Sequence, residues 1–543
     1  MKKIFVVYFL IFAVTLTSWG QIPETVNPVK NIIVMIPDGT SIGVLSSARY
    51  YKMYGNMGSN LYLDLYFCGF VQSFGSNSPI PDSAPTMSCY MTGIPSQYGN
   101  VAIYPVADPE NDFVALDPAM AYQPLVTLME AARTVQGKST GIVVTCEFPH
   151  ATPASCAAHH HSREEYRAIA SQMAYNNLDV LIGGGTSFVS ENMKSYFKNN
   201  GTTLIQDDLT AFRNFNGDAK LWALFGKTSM PNELDRDTLK TPTLEEMTRK
   251  AIERLSKNEN GFFLMVEGSK IDWMAHANDA AGCITEFIAF DNAVGAAIEF
   301  ARTSGETAVI IMPDHGTGGF SLGRNGCSGS TLKDFFKTVS QYKKTASGVA
   351  SILTTTPSGE IKNVFAQYTG IEITDSELQT ILQSRDYKLG DYTQASTSPT
   401  MSNNIVKIMN SRTCFGFSTG GHTGEDVFFA AYHPAGHRPA GLVSNVQINE
   451  YLYKAMGLTV PLPELSRKLF AKHTDVFAGL KYEITENDDF PILTVKKGKN
   501  TLTIPAFCSV VYLNGKPVEL GSVTVYIDKN NTFYLPSDIL NIF

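Results

Sequence analysis

Ile32-Ile33-Val34-Met35-Ile36-Pro37-Asp38-Gly39 is the stretch that decides the fold. Five apolar residues run without polar alternation and stop at a proline and an Asp-Gly pair. A strand covered on both faces reads this way, because neither face meets water. Three more runs repeat the pattern. Gly141-Ile142-Val143-Val144-Thr145 leads to Pro149-His150, Phe262-Phe263-Leu264-Met265-Val266 to Glu267-Gly268, and Ala308-Val309-Ile310-Ile311-Met312 to Pro313-Asp314-His315. Helical patterns lie between them. Thr243-Leu244-Glu245-Glu246 is a capping box opening a helix through Leu255, and Asp279 to Arg302 carries apolar residues at helical spacing. The alternation predicts an α/β fold, a mainly parallel sheet sandwiched by helices. Each run ends in an acid or a histidine. In such sheets that edge is where ligands bind, and a buried charge is costly unless something pairs with it.

The whole chain fits that reading. It has 543 residues, 44% hydrophobic and 17% charged, with a formal charge of −8. This is too apolar for a disordered chain and too polar for a membrane-embedded one. The acidic balance argues against a nucleic-acid binder that neutralises phosphates. Lys2-Lys3, the apolar run Ile4 to Leu16, and small residues at Ser18 and Gly20 predict a signal peptide over residues 1–20, cleaved before Gln21. The expected location is periplasmic or secreted. No later stretch reads as the roughly 18 apolar residues of a spanning helix. Residues 21–477 are expected to form the catalytic domain, with an insertion over about 317–415. Residues 478–543 read as short strands around an Asn514-Gly515 hairpin turn, a small C-terminal β appendage. None of the eight cysteines forms a C-x-x-C pair, and their spacing does not define a pairing.

The chemistry-bearing residues gather at strand ends and Gly-rich turns. Asp272 and His276 stand at i and i+4, so one helical face presents both to a single ion. Asp38, Glu267, Asp314, His315 and His422 extend this set, the last within Gly420-Gly421-His422-Thr423-Gly424. Mixed nitrogen and carboxylate donors suit Zn²⁺, and oxygen-only donors suit Mg²⁺. In Asp82-Ser83-Ala84-Pro85-Thr86 a proline in the first helical turn places Ser83 at a helix N-terminus, which favours an oxyanion. The same residues also read as an ordinary helix cap. His159, His160 and His161 point in different directions on any regular backbone and are read as structural. Arg163 has the planar fork to grip two phosphoryl oxygens, or to form a surface salt bridge.

Taken together these residues resemble the alkaline phosphatases, over about 30–315 and 415–435 and across seven segments in matching order. The resemblance implies a phosphomonoesterase working through a phosphoserine, with Ser83 as nucleophile and Thr86 as the alternative. Asp82, Ser83 and Arg163 would meet the substrate, a small phosphate monoester. One Zn²⁺ would take Asp272, His276 and His422, and a second Asp38, Asp314 and His315. One Mg²⁺ would take Asp38, Thr152 and Glu267. His150 and Trp273 occupy positions that vary within the family, and His150 is expected to weaken the third site's preference for magnesium. The resemblance also implies a homodimer. A phosphodiesterase or other hydrolase of the same superfamily, or a non-catalytic phosphate- or metal-binding protein, remains as the alternative.

Overall fold

The computed structural model describes residues 21–385, 387, 399–487 and 489–543; the expected signal peptide lies outside them. Ten strands form the central sheet. They are β1 (Asn31–Ile36), β2 (Phe67–Gln72), β3 (Ser139–Glu147), β4 (Val180–Gly184), β5 (Thr202–Gln206), β6 (Lys220–Leu224), β7 (Phe262–Glu267), β8 (Thr307–Ile311), β13 (Val427–Tyr432) and β14 (Gly441–Ser444). Four two-residue strands fall between β8 and β13: β9 (Gly316–Thr317), β10 (Ser321–Leu322), β11 (Phe415–Gly416) and β12 (His422–Thr423). The sheet order is β14-β2-β13-β8-β1-β7-β3-β4-β6-β5. β13 runs antiparallel to both its neighbours, and the other pairings are parallel.

β1 shows why the apolar run carried no alternation. All six of its residues are buried between β7 and β8. Ile32, Val34 and Ile36 join the core on one face, Ile33 and Met35 the core on the other. Helices cover both faces. Contrary to the expectation that no later stretch is apolar for long enough, the Ala280–Ser304 helix is long and apolar enough by composition to cross a membrane. Within the fold 72% of its apolar window is buried, so its hydropathy serves the core. Its N-cap Asp279 accepts from the Gly282 N–H. The expected capping box also forms in part: Thr243 accepts from the Glu246 N–H at 3.0 Å.

Residues 317–415 leave and return through the antiparallel β10–β11 pair. Cys327 and Cys414 close this neck with a disulfide between Cα atoms 5.8 Å apart. The bond spans 87 residues of sequence, so it removes much loop freedom from the unfolded chain. The double variant C327S/C414S is expected to lose about 2–4 kcal/mol of unfolding free energy. Denaturant melts that leave the midpoint unchanged would show the bond to be idle.

The C-terminal strands form small antiparallel sheets, as expected. One has five strands within Lys481–Glu519, and a second pairs Thr532–Leu535 with Val525–Ile527. The second sheet also takes in Ala471–Lys472, ahead of the expected start at 478. Leu493, Val495, Leu502 and Phe533 share one buried cluster with Ile32 and Val34. The appendage is thus packed into the main core.

Candidate active site

Adjacency of β8, β1, β7 and β3 is what builds the site. Their C-terminal ends deliver Asp314-His315, Asp38, Glu267 and, one short turn further, His150 and Thr152. Being antiparallel, β13 starts at this same edge, so the preceding β12 delivers His422. β12 pairs with β9, which puts His422 beside Thr317. Asp272 and His276 come from the Lys270–His276 helix that follows β7.

Three ring orientations define the centre. His276 donates Nδ1–H to the Gly420 carbonyl at 2.6 Å, and His422 donates Nδ1–H to the Pro81 carbonyl at 3.0 Å. Both Nε2 atoms then point inward, and they face each other 3.1 Å apart. Two ring nitrogens at that distance need a proton or a cation between them, and the metal-free protein holds a proton on His276, whose pKa is raised to about 9. Asp272 Oδ2 is 3.3 Å from His276 Nε2, and Asp272 Oδ1 is 3.9 Å from His422 Nε2. His315 likewise turns Nδ1 to the Gly316 carbonyl and Thr317 Oγ1 and points Nε2 inward. That Nε2 lies 3.4 Å from Asp314 Oδ2 and 3.8 Å from Asp38 Oδ1. Ligand histidines in metal sites commonly fix their rings by such a bond to a carbonyl.

Among the described residues, Asp38, Asp314 and Glu267 have no lysine or arginine paired with them. Both Asp38 oxygens, Asp314 Oδ2 and Glu267 Oε1 are buried without a hydrogen-bond partner. Burial, then Asp314, Asp272 and Glu267, push Asp38 well above the usual carboxylate range. Burial and Asp314 push Glu267 up to about 8. Asp272 differs: burial opposes its charge, but His276 and His422 outweigh it and hold it well below the usual range. Burial works against charge on His276 too, yet Asp272 raises it to about 9. Burial and His315 push His422 down to about 3. Donor atoms within 4.8 Å of one another fall into three groups: Asp272, His276 and His422; Asp38, Asp314 and His315; and Cys146, His150 and Glu267. The first, with two inward ring nitrogens, and the second, with one inward ring nitrogen and orphaned carboxylate oxygens, fit a divalent ion of borderline softness.

Ser83 opens the Ser83–Thr92 helix, with Asp82 as its N-cap. Its Oγ lies 3.1 Å from His315 Nε2, so the hydroxyl donates to that lone pair. The alternative hydroxyl, Thr86 Oγ1, lies instead 3.4 Å from Ser73 Oγ. Arg163 is buried and donates to Asp82 through one guanidinium nitrogen and to His150 Nε2, at 3.1 Å, through another. Arginine has no acceptor, so His150 Nε2 is the acceptor there. Burial opposes charge on Asp82, but Arg163 and His422 hold its carboxyl below the usual range. Trp273 is half-buried and meets the His150 ring at a centroid distance of 5.7 Å.

This fold and edge can be compared with known proteins. The profile of the family described as alkaline phosphatase matches residues 29–458. The chain belongs to the alkaline phosphatase family. Alkaline phosphatase 4 of Bacillus subtilis (strain 168) is 33% identical over 442 residues, 79% of this chain and 89% of that protein. The crystal structure of the cold-active alkaline phosphatase from the psychrophile Shewanella sp. matches with a TM-score of 0.67 at 28% identity, over 78% of this chain and 99% of that one. A solved alkaline phosphatase of TAB5, a histidine-to-glutamate mutant with magnesium bound in its M3 site, matches with a TM-score of 0.55 at 25% identity, over 81% of this chain and 100% of that one. The chain is therefore a phosphatase, of a family that acts on small phosphate monoesters. The family match ends at 458, and the phosphatase's C-terminal sheets lie beyond it.

Two side chains of the phosphatase's site were not read from sequence. Thr317 Oγ1 donates to Asp272 Oδ1 at 2.6 Å; it follows His315 by two residues, and that spacing was the available signal. Cys146 lies inside β3 and reads there as one more buried apolar residue. The consecutive histidines diverge as expected. His159 bridges Ala102 O and Glu130, His160 meets Ser162 O, and His161 meets Asp528.

Proposed function

We propose that this phosphatase hydrolyses phosphate monoesters through a phosphoserine on Ser83, beside two zinc ions and a third divalent ion. The observation that carries this reading is the set of inward Nε2 atoms and unpartnered carboxylates that meets Ser83 Oγ at His315. Asp272, His276 and His422 would hold one zinc, and Asp38, Asp314 and His315 the other. Asp38, Thr152 and Glu267 would hold the third ion, magnesium by family resemblance. When bound, such ions act as Lewis acids that lower hydroxyl pKa and offset developing negative charge.

The chain's own groups do the rest. The Ser83 hydroxyl, held at the helix start, attacks phosphorus in line with the ester oxygen. An O–P bond forms on Ser83, the P–O ester bond breaks, and the alcohol leaves with a proton. Water then attacks the phosphoserine, restoring the hydroxyl and releasing inorganic phosphate. Arg163 binds two equatorial oxygens, its orientation fixed by Asp82 and His150. The Ala84 N–H at the same helix end adds a donor. Residues 1–20 would direct export, leaving Gln21 as the first residue of the mature chain, and the mature chain would form a homodimer.

Arg163→Ala is expected to cut kcat/KM for p-nitrophenyl phosphate by about 30–160-fold, the value of about 2–3 kcal/mol for a charge-assisted bidentate pair. Hydrolysis of the methyl diester, which offers one fewer charged oxygen, should change much less. A wild-type protein that prefers the diester would overturn the monoesterase reading.

A further inference from the structure

We propose that Cys146 supplies a sulfur ligand to the third metal site, so that this site takes a zinc-type ion rather than magnesium. The inference rests on the metal-dependent reading above and concerns one residue that reading does not use.

Cys146 Sγ lies 3.7 Å from Glu267 Oε2, and both residues are fully buried. Sulfur, one His150 nitrogen and one Glu267 oxygen lie within 4.8 Å of one another. In the same group Glu267 Oε1 and His150 Nδ1 are buried without hydrogen-bond partners. Among the described residues, the thiols of Cys68, Cys156, Cys283 and Cys508 donate to backbone carbonyls. Cys146 instead faces a carboxylate at the mouth of β7.

Donor chemistry decides the ion. Magnesium takes oxygen ligands and water and has no use for sulfur. A set of one sulfur, one imidazole and carboxylate oxygens is the set that holds zinc or cobalt. The two soft donors also differ in what they give up. His150 Nε2 already accepts from Arg163, so a bond from that ring to an ion competes with the phosphate clamp. Cys146 gives up only a weak bond to Glu267. On binding, the thiol proton passes to solvent, and the thiolate and Glu267 together offset a divalent charge.

The test strips the full-length enzyme with a chelator and titrates it with cobalt(II). The third equivalent is expected to bring a thiolate-to-cobalt charge-transfer band in the near ultraviolet. Cys146→Ala should lose that band and bind the third ion at least tenfold more weakly, since losing even an outer-shell partner costs about 10–100-fold. Cys156→Ala should keep both. Identical spectra for wild type and Cys146→Ala would overturn the inference. So would a third site that fills with magnesium when zinc is supplied equally. Zinc-edge X-ray absorption on the wild type needs no variant: a sulfur shell near ~2.3 Å is expected, and a shell of nitrogen and oxygen alone overturns the inference. Two bound equivalents without sulfur defeat this inference alone, whereas no bound ion at all defeats the two-zinc reading with it.

Discussion

Ser83→Ala is expected to abolish the phosphoenzyme and to lower turnover of p-nitrophenyl phosphate on the order of a thousandfold. The reason is local. The Ser83 hydroxyl donates to the inward Nε2 of His315, at 3.1 Å, while the neighbouring Thr86 hydroxyl is turned to Ser73. Removing one oxygen leaves Arg163, the carboxylates and the helix end in place. Water can then reach phosphorus in a site that still stabilises its charge, so a residual rate persists, as it does when other enzymes lose a nucleophile. Acid quenching with labelled substrate reads the phosphoenzyme directly, and stopped-flow reads the burst. A full burst in Ser83→Ala that disappears in Thr86→Val would move the nucleophile to Thr86.

The strand ends were legible because parallel strands buried on both faces have no polar residues to spare. An acid or histidine closing such a run stands out, and Asp38, Glu267 and Asp314-His315 were found that way. Their convergence required knowing that β8, β1, β7 and β3 are neighbours, which the chain order of these strands does not reveal. His422 was legible only as a histidine in a Gly-rich turn. Its place in the site depends on β13 running against the other strands, and antiparallel direction leaves no local mark. Cys146 was hidden because a thiol within an apolar strand looks like core packing. The Cys327–Cys414 bond was hidden for another reason, since a separation of 87 positions carries no pairing signal. The C-terminal hairpins followed from turn chemistry, but their burial against the main core depends on tertiary packing alone.

Stripping the metals should make stability fall steeply as pH rises, by on the order of 5 kcal/mol between about pH 5 and about pH 9. Glu267, buried and beside Asp314, has its folded pKa raised from 4.5 to about 8. Between those values the folded state binds more protons than the unfolded one, so rising pH favours unfolding. Asp38, raised by burial and three carboxylates, acts in the same direction. His276 adds to it: burial lowers it, but Asp272 raises it from 6.5 to about 9. Its contribution is complete below about pH 6.5 and is lost as pH passes about 9. Asp272 is held well below its ordinary 3.8, so its stabilisation is lost only in acid, outside this window. His422 and His150, both pushed by burial from 6.5 down to about 3, act the other way up to about pH 6.5, so the net fall is concentrated above that pH. Bound divalent ions replace the protons that the stripped site needs. The zinc-loaded enzyme should therefore keep its stability across the range and exceed the stripped form most at alkaline pH. Denaturant melts of both forms at three pH values measure the difference. If the stripped protein is as stable at pH 9 as at pH 5, the buried carboxylates are balanced by something other than metal, and the assignment of these ligands fails.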